Sequence, residues 1–115
     1  MAPLILIAED VIELRTVLGD LLIDEGYRVH VASDGQEALD LFAQEIPAVI
    51  VSNISMPHID GITLVHRIRE GGYDVPVILI SAEVAPVNLP GVVLIAKPFD
   101  LDAIMDAVEQ SLAGA

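Results

Sequence analysis

The stretch Pro47-Ala48-Val49-Ile50-Val51-Ser52-Asn53-Ile54-Ser55-Met56-Pro57-His58-Ile59-Asp60-Gly61 decides the fold. Its apolar run, Ala48 to Val51, is short, unbroken and introduced by a proline, the pattern of a strand buried on both faces. A loop from Asn53 to Gly61 follows. Ile62, Val65 and Ile68 then line one side of a helix that Gly71 and Gly72 end.

The same strand-loop-helix unit recurs on either side. Leu4 to Ala8 is an apolar run followed by Glu9 and Asp10, and Leu14, Val17, Leu18, Leu21 and Leu22 then recur at helical spacing up to a stop at Gly26. Tyr27 to Ala32 reads as a second strand. Ser33 and Gln36 have capping-box spacing before Ala38, Leu39, Leu41 and Phe42. Val75 to Ile80 and Val92 to Ile95 read as the fourth and fifth strands. Asp100 is placed to cap a final helix with its core stripe at Leu101, Ile104, Met105, Val108 and Leu112. Between the last two strands, Val84 to Pro90 holds two prolines, so little regular helix is expected there.

Strict alternation of strand and helix predicts an α/β fold, a doubly wound parallel sheet of five strands with helices on both faces. A chain of 115 residues favours one domain, 1–115, with no effector domain. The composition agrees: 54% hydrophobic but only 3% aromatic leaves Val, Ile, Leu and Ala to fill the core. Five basic residues against 18 acidic give a formal charge of −13, which opposes binding to nucleic acid or an anionic membrane. The absence of cysteine excludes disulfides, thiolate metal sites and cysteine nucleophiles. With neither a signal sequence at Met1 to Ala8 nor an apolar stretch near the ~20 residues of a membrane span, a soluble, cytoplasmic protein is the default expectation.

Sheets of this kind place functional groups beyond the carboxyl ends of their strands. Those ends carry Glu9 and Asp10, Asn53, Ser81, and Lys97-Pro98. Singly, each has an ordinary explanation: acidic residues favour helix starts, and a lysine forms surface ion pairs. Their joint placement at four strand ends points to one polar crevice. His30, His58 and His66 lack ligand spacing and read as surface or edge histidines. Ser52 and Ser55 read as loop serines, and Met56 as packing.

Four segments together resemble the bacterial response-regulator receiver family, whose fold is called CheY-like or flavodoxin-like. They are Ile5-Leu6-Ile7-Ala8-Glu9-Asp10, the opening stretch with its Met-Pro-x-x-Asp-Gly signature, Val77-Ile78-Leu79-Ile80-Ser81-Ala82, and Lys97-Pro98-Phe99. The resemblance runs from about Leu4 to Leu112 and implies two-component or phosphorelay signalling rather than enzyme activity on a metabolite. It implies Mg²⁺ ligands at Glu9, Asp10 and the Ser55 main-chain carbonyl, and phosphate or switch contacts at Ser81 and Lys97. The implied partner is a histidine kinase, a phosphotransfer protein or another regulator, with a homodimer as a further option.

Three positions depart from the family pattern. Asn53 stands where the phosphate-accepting aspartate belongs, and a carboxamide lacks the charge and nucleophilicity to form an acyl phosphate. It also weakens the expected Mg²⁺ site by one anionic oxygen. Leu94 occupies the aromatic switch position, and the Ala82 to Gly91 connection is short for a helix. The leading expectation is therefore an atypical receiver that works through protein contacts. Two readings stay open beside it: an ordinary receiver carrying an introduced Asp-to-Asn change at 53, and a receiver-like module gated by a small ligand.

Overall fold

The computed structural model describes residues 2–82 and 89–114. Along the chain run β1 (Leu4–Ala8), α1 (Ile12–Asp24), β2 (Arg28–Ala32), α2 (Gly35–Gln44), β3 (Val49–Asn53), α3 (Gly61–Glu70), β4 (Val77–Ser81), β5 (Val92–Ala96) and α4 (Leu101–Ala113). The strands form one parallel sheet in the order β2-β1-β3-β4-β5. The expected doubly wound α/β architecture is the one observed. Most of the Val84 to Pro90 segment lies outside the described residues. Among those described, the chain passes from β4 to β5 without a helix.

The two-residue period of the strands divides the core into two layers. On one face Ile5, Ile7, Val49, Val51, Ile78 and Ile80 pack against Leu18 and Leu22 of α1 and Ile104, Met105, Ala107 and Val108 of α4. On the other, Leu6, Ala8, Ile50, Val77 and Leu79 meet Ala38 and Phe42 of α2 and Leu64, Val65 and Ile68 of α3. Every residue of β1, β3 and β4 is buried, which is why these strands read as unbroken apolar runs, whereas β2 and β5 form the partly exposed edges.

Several element ends differ from the expected ones, each for a local reason. The cap of α2 is Asp34, whose side chain accepts from Glu37 N at 2.8 Å, while Ser33 Oγ donates to the Glu37 carboxylate instead. β3 runs on through the polar Ser52 and Asn53, because ladder pairing continues to Asn53 opposite Ile80. Leu101 is exposed at the start of α4 rather than part of its core stripe, and Val17 is exposed on α1. On β5 the exposed large apolar residue is Val93, while Leu94 packs against the α2–α3 layer.

Candidate functional site

The order of strands reverses between β1 and β3, since β1 pairs with β2 on one side and β3 on the other. The crevice of such a sheet opens at that point. Register brings the polar residues level across it. Ala8 pairs with Ser52, so Glu9 and Asn53 follow one step later on adjacent strands. Ser81 pairs with Ala96, so Lys97 follows directly, and its N–H donates to the Ser81 carbonyl at 2.7 Å.

Three of the expected residues are joined by hydrogen bonds. Asn53 Nδ2 donates to Glu9 Oε2 at 3.2 Å, with a longer contact of 3.5 Å to Asp10 Oδ1. Glu9 Oε2 also accepts from Val11 N at 3.1 Å. This bond gives α1, which has no side-chain cap of its own, a carboxylate at its amino end. The other oxygen, Glu9 Oε1, is buried with no partner. Ser81 is buried at the end of β4, and Ser55 is exposed in the loop after β3.

The acidic pair is electrostatically split. Glu9 is only 1% exposed, and burial, followed by its interaction with Asp10, pushes its carboxyl above the ordinary range. Asp10 faces solvent, and its interaction with Glu9 holds its carboxyl below that range. The Lys97 charge draws both downward as a smaller effect. These carboxylates and the Ser55 carbonyl are hard oxygen donors, the chemistry a divalent cation requires, and the orphaned Glu9 Oε1 is an acceptor still to be satisfied. Among the described residues no three His, Cys, Asp or Glu side chains gather as a ligand set, so water would have to complete such a site.

The signature loop holds Asn53 in place. Ile54 N donates to Ile80 O at 2.9 Å, and Gly61 N donates to Ile54 O at 2.8 Å. A Cβ on Gly61 would lie 2.5 Å from the Asn53 carbonyl oxygen, so glycine is what lets α3 start directly against the end of β3. Asp60 caps that helix, accepting from Thr63 N at 2.7 Å. Ser52 Oγ is buried and donates to the Asn53 carbonyl, which leaves it a structural serine. Met56 packs into the α2–α3 layer, and His58 is exposed at positive φ with Nε2 3.9 Å from Asp34.

One contributor escaped the sequence reading. Arg15 Nη1 donates to the Glu9 main-chain carbonyl at 3.1 Å, tying the first turn of α1 to the acidic pair. Its only sequence signal is scarcity, as one of five basic residues placed shortly after two acids.

The comparisons with known proteins agree with this geometry. The family model described as the response regulator receiver domain matches residues 5–109. Sporulation initiation phosphotransferase F of Bacillus subtilis is 32% identical over 114 residues, covering 94% of this chain and 92% of that protein. A probable transcriptional regulator, ycf27 of Guillardia theta, is 44% identical over 78 residues, 68% of this chain but only 30% of that longer protein. The response regulator TrrA of Thermotoga maritima, solved in complex with Mg²⁺-BeF, superposes with a TM-score of 0.85 at 28% identity, covering 97% of this chain and all of that one. Among the described residues no helix is long and apolar enough to cross a membrane. By sequence, sheet order and the place of its polar crevice, the chain belongs to the response regulator receiver domain family of two-component signalling.

Proposed function

We propose that this receiver transmits signals through protein contacts without accepting a phosphoryl group and without enzymatic activity of its own. The observation that carries the reading is the carboxamide of Asn53 at the end of β3, hydrogen-bonded to Glu9 and Asp10, at the position the family resemblance gives to the acceptor. Phosphoryl transfer to a receiver forms a bond from a carboxylate oxygen to phosphorus and breaks the bond to the donor's imidazole nitrogen. The amide oxygen is neutral, and its addition product would carry positive charge beside phosphorus, so the step has no favourable start.

The rest of the crevice is consistent with a vestigial site. Glu9, Asp10 and the Ser55 carbonyl would hold Mg²⁺ weakly, and a bound cation would neutralise charge on phosphoryl oxygens. Ser81, at the end of β4, and Lys97, just after β5, are the groups that would meet those oxygens. Leu94 in place of an aromatic ring fits a domain held in one conformation. The partner is a kinase, a phosphotransfer protein or another regulator, and a second copy of the chain through the β5 edge is a further mode of contact.

The test is mass spectrometry after incubation with acetyl phosphate and Mg²⁺. The native chain should gain no phosphoryl mass, and Asn53→Asp should gain one. An acyl phosphate on residue 53 without prior deamidation would end this reading.

A further inference from the structure

The acidic pair presents an electrostatic problem. Glu9 is buried and Asp10 is its neighbour, and both carboxylates face the end of β3. A buried carboxylate beside a second one, even where the second faces water, is stabilised by a cation or N–H donors between them. The side chain in that place is the primary amide of Asn53, with contacts of 3.2 Å to Glu9 and 3.5 Å to Asp10. An NH₂ group has two protons, one for each carboxylate. The neighbours fix its orientation, because a reversed amide would set Oδ1 against two carboxylate oxygens. A metal ion would need that reversed orientation, since it takes oxygen and not N–H. Metal entry therefore has to break both hydrogen bonds.

We propose that Asn53 is a positioning residue that takes the place of the divalent cation, its NH₂ group tying Glu9 to Asp10 and holding the end of β1 against the end of β3 without metal. The proposal rests on residue 53 being a non-acceptor and adds what the amide does instead. Losing the aspartate exchanges a loadable cation site for a permanent internal donor. Glu9 Oε1, which faces no donor, is the residual acceptor that keeps weak metal binding available. Asn53 is thus an antagonist of the metal and not one of its ligands.

This assignment makes a prediction opposite to that of a ligand role. Calorimetric titration with MgCl₂ compares the native chain with Asn53→Ala. Removing a metal ligand would weaken binding. Removing the internal donor should tighten Mg²⁺ binding by about tenfold, because the ion no longer displaces the amide's 3.2 Å hydrogen bond to Glu9, the longer 3.5 Å contact to Asp10 adding little. In EDTA, Asn53→Ala should melt below the native chain, and Mg²⁺ should restore its midpoint while moving the native midpoint little. Mg²⁺ affinity in Asn53→Ala equal to or below the native value, absent binding included, overturns the proposal.

Should that variant not fold, the native chain answers by NMR. The Asn53 side-chain NH₂ resonances should shift together with the Glu9 and Asp10 amides as Mg²⁺ is added. Resonances that stay in place while those amides move, or the absence of any Mg²⁺-dependent shift, overturn the proposal. Phosphorylation of native residue 53 would sink the non-acceptor reading whatever the titration gives, whereas an unfavourable titration alone sinks only the cation-replacement role.

Discussion

Glu9 and Asp10 are neighbours in sequence and opposites in environment. One is sealed beneath the start of α1, and the other faces water. Burial raises the Glu9 pKa, so the fold favours its protonated form. The stability this group contributes is full below the ordinary carboxylate range and is lost as the pH rises through the raised value. Glu9→Gln keeps an acceptor for Asn53 and Val11 while removing the charge. It should raise the thermal midpoint, more at pH 8 than at pH 4.5, and flatten that part of the stability profile. A gain that is the same at both pH values would show that charge burial is not the cause. The residues of this site were legible at the ends of apolar runs, because a parallel sheet aligns those ends. Which carboxylate is buried, and the donor role of Asn53, were not legible, since both depend on how the chain turns after β1 and on side-chain orientation.

Elements hold together here through shared carbonyls as well as apolar faces. Arg69, in the last turn of α3, donates to Tyr73 O at 3.2 Å, Val75 O at 2.9 Å and Pro90 O at 3.1 Å. One guanidinium thereby joins the end of α3, the approach to β4 and the turn before β5. Its Nε is buried without a partner, and a Cβ on Gly91 would lie 3.2 Å from Nη2, so the turn closes tightly on it. Arg69→Leu should cost about 2 kcal/mol in denaturant unfolding, leaving three carbonyls short of a donor. It should also loosen hydrogen exchange at Val77 and Val92; a loss under about 0.5 kcal/mol, the range of an ordinary surface substitution, would show that the link is incidental. The elements themselves were readable from periodicity because the buried strands and the stripes of α2 to α4 are cleanly patterned. This link was not, because Arg69 and Pro90 are 21 residues apart with no shared pattern. The exposure of Leu101 was missed for a similar reason, since spacing marks a helix face but not where its first turn overhangs the sheet.

On the scale of the whole molecule, charge and the sheet edge act against each other. The edge strand β5 shows Val93 at 44% exposure, beside a groove of about 320 Å³ between Pro76, Val92 and the end of α4. Apolar surface at an open strand edge favours association. Two copies at −13 each repel, so any self-association through β5 should strengthen as salt screens that repulsion. Sedimentation from low to high ionic strength should reveal a dimer that Val93→Asp removes without unfolding the domain. A mass that stays monomeric at every salt concentration argues against this contact. The strand order has a separate consequence for how the molecule is made. Once β1 has received β2 on one side, each later strand joins the same advancing edge: β3 on β1, β4 on β3, β5 on β4. On a ribosome the sheet can therefore grow in the order of synthesis, with no insertion between strands already paired. The covering layers do not keep pace. Ile78 and Ile80 belong to the face that α4 closes, and α4 follows every strand in translation, so the nascent sheet carries a greasy, half-roofed side until that last helix emerges.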